Sequence, residues 1–190
     1  AYKRPSLILH DVDRLVRIAE KIGPLQIILA GKAHPNDNLG FTYINEMLDK
    51  VDKLNEDYDK LKIIVLENYD ISLGLILTSS VDVWLNNPLP PFEASGTSGM
   101  KAILNGVLQM STVDGWVAEA TDRKMGAFFG YKNGEGSVGN EFDLHMNEDS
   151  EELYRVLENM VSLYYKTNQH GKADISSSWI DMMIECICVA

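Results

Sequence analysis

Apolar positions along this chain follow two alternating rhythms. Short, mainly apolar runs predict strands at 25–30, 62–66 and 81–85, with two more at 107–113 and 127–131. Between them, apolar residues return every three or four positions and predict helices. The first starts at Pro5, which suits a first helical turn. It continues through Leu7, Ile8, Val12, Leu15, Val16 and Ile18 to Lys21, and Gly23 ends it. A charged helix from about 39 to 60 carries Phe41, Ile44, Met47, Leu48, Val51 and Leu54 on one face. A short helix covers 71–77, an amphipathic one 149–166, and the last, 177–189, is apolar to its end. Strands alternating with helices predict an α/β fold with a doubly wound parallel sheet, its strand at 25–30 buried on both faces. Ligands of such sheets gather at the carboxyl ends of the strands. Three loops, 31–37, 67–70 and 86–98, are therefore expected to face one crevice.

One stretch breaks the charge pattern. Between Asp82 and Asp114 only Glu93 and Lys101 are charged. Lysine and glutamate are rarely buried unless paired or put to use. Residues 86–92 form a proline-rich loop that is neither helix nor central strand. Residues 93–99 make a small-residue turn whose backbone a ligand can approach closely. Thr97 or Ser98 is the expected N-cap of a helix over 99–105, which Gly106 ends. Strand, glycine-rich loop and helix together set free backbone N–H groups at a positive helix end, an arrangement suited to phosphate. Lys101 falls in the first turns of that helix. Its neighbours Met100, Ala102, Ile103 and Leu104 are core-like, and a desolvated lysine is a competent amine nucleophile. A lysine snorkelling from a half-buried helix explains the same residues equally well. The loop lacks the Gly-Lys-Ser/Thr ending of a P-loop, and no Gly-x-Gly-x-x-Gly follows the first strand, which disfavours a dinucleotide-dependent dehydrogenase.

Composition narrows the partners. The chain has 190 residues, 45% hydrophobic and 24% charged, enough for one domain with a sizeable core. Its net charge of -11 argues against nucleic acid or an anionic membrane as a partner. No apolar run is long enough to span a bilayer, and no signal peptide is visible. Cys186 and Cys188 are a poor metal signal and a strained disulfide pair, so they read as reduced thiols of a cytoplasmic protein, and no metal ligand set is assigned. His34, before Pro35 in a loop, reads as structural, and Trp116 as a core residue. The glycine-rich segment 132–140 reads as a disordered loop, with a lid as its functional alternative. On the residues alone, Lys3 belongs to a solvated basic terminus.

The run Glu-Ala-Ser-Gly-Thr-Ser-Gly-Met-Lys-Ala-Ile-Leu-Asn-Gly at 93–106, with Ser-Thr-Val-Asp-Gly at 111–115, resembles the α-glucan phosphorylases that act on glycogen, starch and maltodextrin. Leu-Glu-Asn-Tyr at 66–69 and Tyr-Lys-Arg at 2–4 are similar to segments of the same family. Ser98-Gly99 stands where the animal-type pattern has Gly-Asn, and looks like the shorter bacterial and archaeal branch. The resemblance implies that residues 1–190 are a single Rossmann-like, cofactor-binding domain, truncated at both ends. That domain would be the C-terminal half of a two-domain GT-B glycosyltransferase architecture. An N-terminal domain of the same parent chain would complete the site, and many members form homodimers.

The resemblance also assigns roles. Lys101 would carry pyridoxal 5′-phosphate as a Schiff base, and Thr97 and Ser98 would hold the cofactor phosphate through backbone N–H groups. Glu93, Ala94, Ser95 and Gly96 would contact hydroxyls of the glucosyl unit, and Lys3 would bind the substrate phosphate. The implied reaction is attack of inorganic phosphate on the terminal α-1,4-linked glucose of an α-glucan. It yields α-glucose 1-phosphate with retention, the cofactor phosphate serving as proton donor and acceptor. This polypeptide alone is expected to show no measurable phosphorolysis. Two other classes share features of the chain: a nucleotide-sugar glucosyltransferase of the glycogen-synthase type, which needs no pyridoxal phosphate, and a non-catalytic Rossmann-like module.

Overall fold

The computed structural model describes residues 2–31, 38–130, 141–166 and 176–190. His34 and the segment 132–140 lie outside them. The chain opens with a 3-10 turn, Leu7–Leu9, followed by α1 (Val12–Lys21), β1 (Leu25–Ala30), α2 (Asn38–Asp57), β2 (Leu61–Leu66) and α3 (Ile71–Ser80). Then come β3 (Val83–Asn86), α4 (Thr97–Ile103), β4 (Leu108–Thr112), a 3-10 turn Gly115–Glu119, β5 (Gly126–Phe129), α5 (Glu141–Tyr164) and α6 (Ser177–Val189). Among the described residues no helix is long and apolar enough to cross a membrane.

The expected first helix is broken in two. Leu7, Ile8 and Leu9 are consecutive and all buried, so this turn is enclosed on every side rather than presenting one apolar face. Asp11 then restarts the chain as an N-cap, its carboxylate accepting the Arg14 N–H at 2.9 Å. Other bounds shift by a few residues. The long second helix ends at Asp57, α3 continues to Ser80, β3 begins at Val83, and α5 starts well before Asp149.

All strand pairs are parallel, as the alternating pattern predicts. Among the described residues they form two sheets, however, rather than the single doubly wound sheet expected. β1 pairs with β2 from Leu25↔Leu61 to Ala30↔Leu66. β4 is the central strand of the order β3-β4-β5 and is buried along its whole length. β1 is not buried on both faces, because Gln26, Ile28 and Ala30 point to solvent. α2 packs against β2 and covers that pair from one side. A shared core spans both sheets, from Leu15 and Ile18 of α1 and Ile63 of β2 to Leu108 and Met110 of β4 and Tyr154 of α5. Both cysteines are free. Cys186 is buried at the base of α6, where desolvation pushes its thiol up to about 11.

Candidate functional site

The carboxyl ends of β3 and β4 meet the first residues of the chain. The Leu89 N–H donates to the Tyr2 carbonyl at 2.8 Å, which lays residues 2–4 along the loop after β3. From there the Lys3 ammonium reaches the Glu93 carboxylate, forming an ion pair across ninety positions. Glu93 is 8% exposed, whereas the Lys3 side chain is half open to solvent. A carboxylate this deep needs a partner, and Lys3 is the cation that supplies it. The Lys3 Nζ also stands 5.2 Å from the centre of the Tyr2 ring.

The loop that carries Glu93 is tied down from β4. Asp114 accepts the Glu93 N–H through Oδ2 at 2.8 Å and the Gly115 N–H through Oδ1 at 2.9 Å. The Trp116 N–H donates to the Ser95 carbonyl at 2.9 Å. Gly115 has φ +55, and a Cβ there would lie 2.5 Å from that same carbonyl oxygen. Only glycine lets the two loops approach this closely. Ala94 is exposed, and Ser95 and Gly96 are half-buried.

α4 begins at Thr97, two residues earlier than expected. Its N-cap is Gly96 at φ +82, with no side-chain capping bond, and neither Thr97 nor Ser98 fills that place. The left-handed turn is open to glycine and costly for a residue with a Cβ. The Gly99 N–H closes onto the Gly96 carbonyl at 3.1 Å. Among the described residues the N–H groups of Thr97 and Ser98 have no acceptor, as first-turn amides do. Gly99, Ala102 and Ile103 form the buried face of α4. Thr97 and Lys101, four residues apart, share the exposed face. Lys101 is thus exposed rather than desolvated, because the core takes the opposite side of the helix. Among the described residues it forms no ion pair. Beneath α4, Gln109 Oε1 and Trp116 Nε1 are buried polar atoms without a partner among the described residues, and both border the space beside Gly99. Trp116 otherwise packs against the core.

The structure therefore joins Lys3 to Glu93, Ala94, Ser95 and Gly96, with Thr97, Ser98 and Lys101 on the helix that follows. The loop 67–70 does not join them. Asp70 caps α3, accepting the Leu73 N–H at 2.8 Å, and the Tyr69 hydroxyl lies against Gly74 of that helix. Four supporting residues had no assigned role in the sequence reading: Arg4, Asn87, Asp114 and Asp149. Arg4 and Asp114 fall in segments that resemble the family, whereas Asn87 and Asp149 leave no such signal.

A model of the carbohydrate phosphorylase family matches residues 1–184. The chain is 42% identical to a glycogen phosphorylase of Aquifex aeolicus, over 98% of its own length and 25% of that protein. It is 43% identical to a maltodextrin phosphorylase of Thermococcus litoralis, over 98% of its own length and 21% of that protein. A glycogen phosphorylase of Mycobacterium tuberculosis is 36% identical, over 96% of this chain and 20% of its own length. The chain spans a quarter or less of the length of these relatives. By this match over nearly its whole length, and by the site residues it brings together, the chain belongs to the carbohydrate phosphorylase family.

Proposed function

We propose that this chain contributes the cofactor-binding half of an α-1,4-glucan phosphorylase site, on a Rossmann-like domain spanning 1–190. In this reading the domain is the C-terminal half of a two-domain GT-B architecture. An N-terminal domain of a longer chain closes the cleft, in the cytoplasm. The observation that carries the reading is the Lys3–Glu93 pair beside the small-residue loop that leads into α4. One ammonium, one deep carboxylate and a run of small residues make a surface fit for an anion next to a polyhydroxylated ring.

The roles follow from the charges. Lys3, half open to solvent, binds inorganic phosphate. When phosphate takes the ammonium, the Glu93 carboxylate is released to accept hydroxyls of the terminal glucosyl unit. Ala94, Ser95 and Gly96 leave room for that ring. A glucose analogue lacking the hydroxyl opposite Glu93 would leave a buried acceptor unpaired, at about 1–3 kcal/mol.

The residues on α4 fit pyridoxal 5′-phosphate. Lys101 offers an uncovered primary amine, and the unpaired N–H groups of Thr97 and Ser98 stand one turn earlier to hold the phosphate group. When bound, the group supplies a proton donor and acceptor beside the substrate phosphate. The test is incubation with pyridoxal phosphate, borohydride reduction and peptide mapping. Label concentrated on Lys101 supports the reading, with Lys101→Ala abolishing it. Label scattered over the surface lysines sinks it.

A further inference from the structure

We propose that Arg4 is a positioning residue of this site, holding the backbone that directs the Lys3 ammonium at Glu93. The assignment rests on the reading of Lys3 and Glu93 given above. The Arg4 side chain is fully buried, and its guanidinium donates to three acceptors. Nε donates to the Asn87 carbonyl at 3.0 Å, Nη2 to the Pro88 carbonyl at 3.0 Å, and Nη1 to Asp149 Oδ2 at 2.5 Å. The Asn87 amide donates back to the Arg4 carbonyl at 2.7 Å. The Pro88 carbonyl also accepts the Thr112 hydroxyl at 2.9 Å.

The node thus binds the segment before the first 3-10 turn to the carboxyl ends of β3 and β4 and to α5. Arg4 directly follows Lys3 in the chain, and its acceptors Asn87 and Pro88 belong to the loop that leads to Glu93. Two features argue for positioning rather than mere packing. A buried ion pair is a poor source of stability, since well-packed apolar residues usually serve as well or better. The backbone of Arg4 is also held at φ +44, a left-handed conformation that costs a non-glycine residue about 1 kcal/mol or more. Only a guanidinium reaches all three acceptors from one plane, so lysine is no substitute.

The test reads the Lys3 environment by NMR, on chain labelled with carbon-13 at the lysine ε-carbons. Lys3→Arg assigns the Lys3 signal, and Glu93→Gln gives the shift that follows loss of the carboxylate. Arg4→Lys is expected to reproduce the greater part of that shift, and adding Glu93→Gln to it to produce no further change. The signal of Lys60, which pairs with Glu20 far from the node, stays where it was. Asp149→Asn, a milder cut of the same node, gives a smaller shift in the same direction and decides the matter if Arg4→Lys does not fold. A Lys3 signal unmoved in the folded variants overturns the proposal, and so does one that moves only together with Lys60. Inorganic phosphate titrated against the same signal reports on the phosphate assignment separately. Its failure to move Lys3 would strike that assignment and leave the positioning result standing.

Discussion

Glycine 115 shows how much of the site hangs on a single missing carbon. Its φ of +55 and the Ser95 carbonyl oxygen, 2.5 Å from where a Cβ would stand, leave no room for alanine. Gly115→Ala is expected to push the loop of residues 93–96 off Asp114, breaking the Glu93 N–H and Trp116 N–H bonds. A stability loss of about 1–3 kcal/mol should result, measured by urea unfolding. An unchanged midpoint would mean that the two loops are not locked together. Residue pairs of this kind were beyond sequence reading. Lys3 and Glu93 are each legible as polar residues in notable places, but nothing local says that they touch across ninety positions. The turn before α4 is similar. Thr97 and Ser98 have the right side chains for an N-cap, yet the left-handed turn falls at Gly96, where backbone freedom outweighs a capping hydroxyl.

At the scale of elements, the periodicities were well read and the ends were not. Every strand lies within a few residues of its apolar run, though only β4 is buried along its whole length. The first helix failed because Leu7, Ile8 and Leu9 are buried on all sides by tertiary contacts that an amphipathic pattern does not foresee. α1 and α5 are joined by Arg14, which bonds Glu158 at 3.0 and 3.1 Å and Glu151 at 2.6 Å. The Arg14 hydrogen bond holds the Glu158 carboxyl below its ordinary value of 4.5. A depressed carboxyl contributes stability above its unfolded pKa, and that contribution is lost as pH falls through the folded value. Glu158→Gln should therefore cost up to about 1 kcal/mol near neutral pH, since the pair is partly exposed, and make the acid side of the stability profile flatter. Parallel urea titrations of both proteins at neutral pH and below 4.5 would show it. A variant whose acid profile matched the wild type would remove Arg14–Glu158 as a link between the helices.

At the scale of the whole molecule, charge and site pull in opposite directions. The net charge of -11 repels the phosphate that Lys3 is proposed to bind. Raising ionic strength from about 0.01 to 0.15 M shortens the screening length from about 30 to 8 Å. This weakens the diffuse repulsion more than the contact attraction. Phosphate binding is expected to strengthen over that range, while binding of a neutral glucan stays constant. Calorimetric titrations at the two salt levels separate the cases, and phosphate binding that weakened with salt would contradict this picture. The absence of long basic runs made the sign of the field plain from composition. The division of the strands into two sheets was not, since pairing partners are chosen by packing that the strand sequences alone do not encode.

The ties of Arg4 have a bearing on how the chain acquires its site. Arg4 meets Asn87 and Asp149 across separations of 83 and 145 positions, so these are among the most non-local contacts of the fold. Bringing such distant segments together carries a loop-closure cost that nearer pairings, β4 with β5 among them, do not bear. The Lys3–Glu93 contact, at a separation of ninety positions, bears a cost of the same kind, so the site needs distant parts of the chain in place together. A substitution at Arg4, at Asn87 or at Asp149 is therefore expected to reach the Lys3–Glu93 contact from three separate parts of the fold.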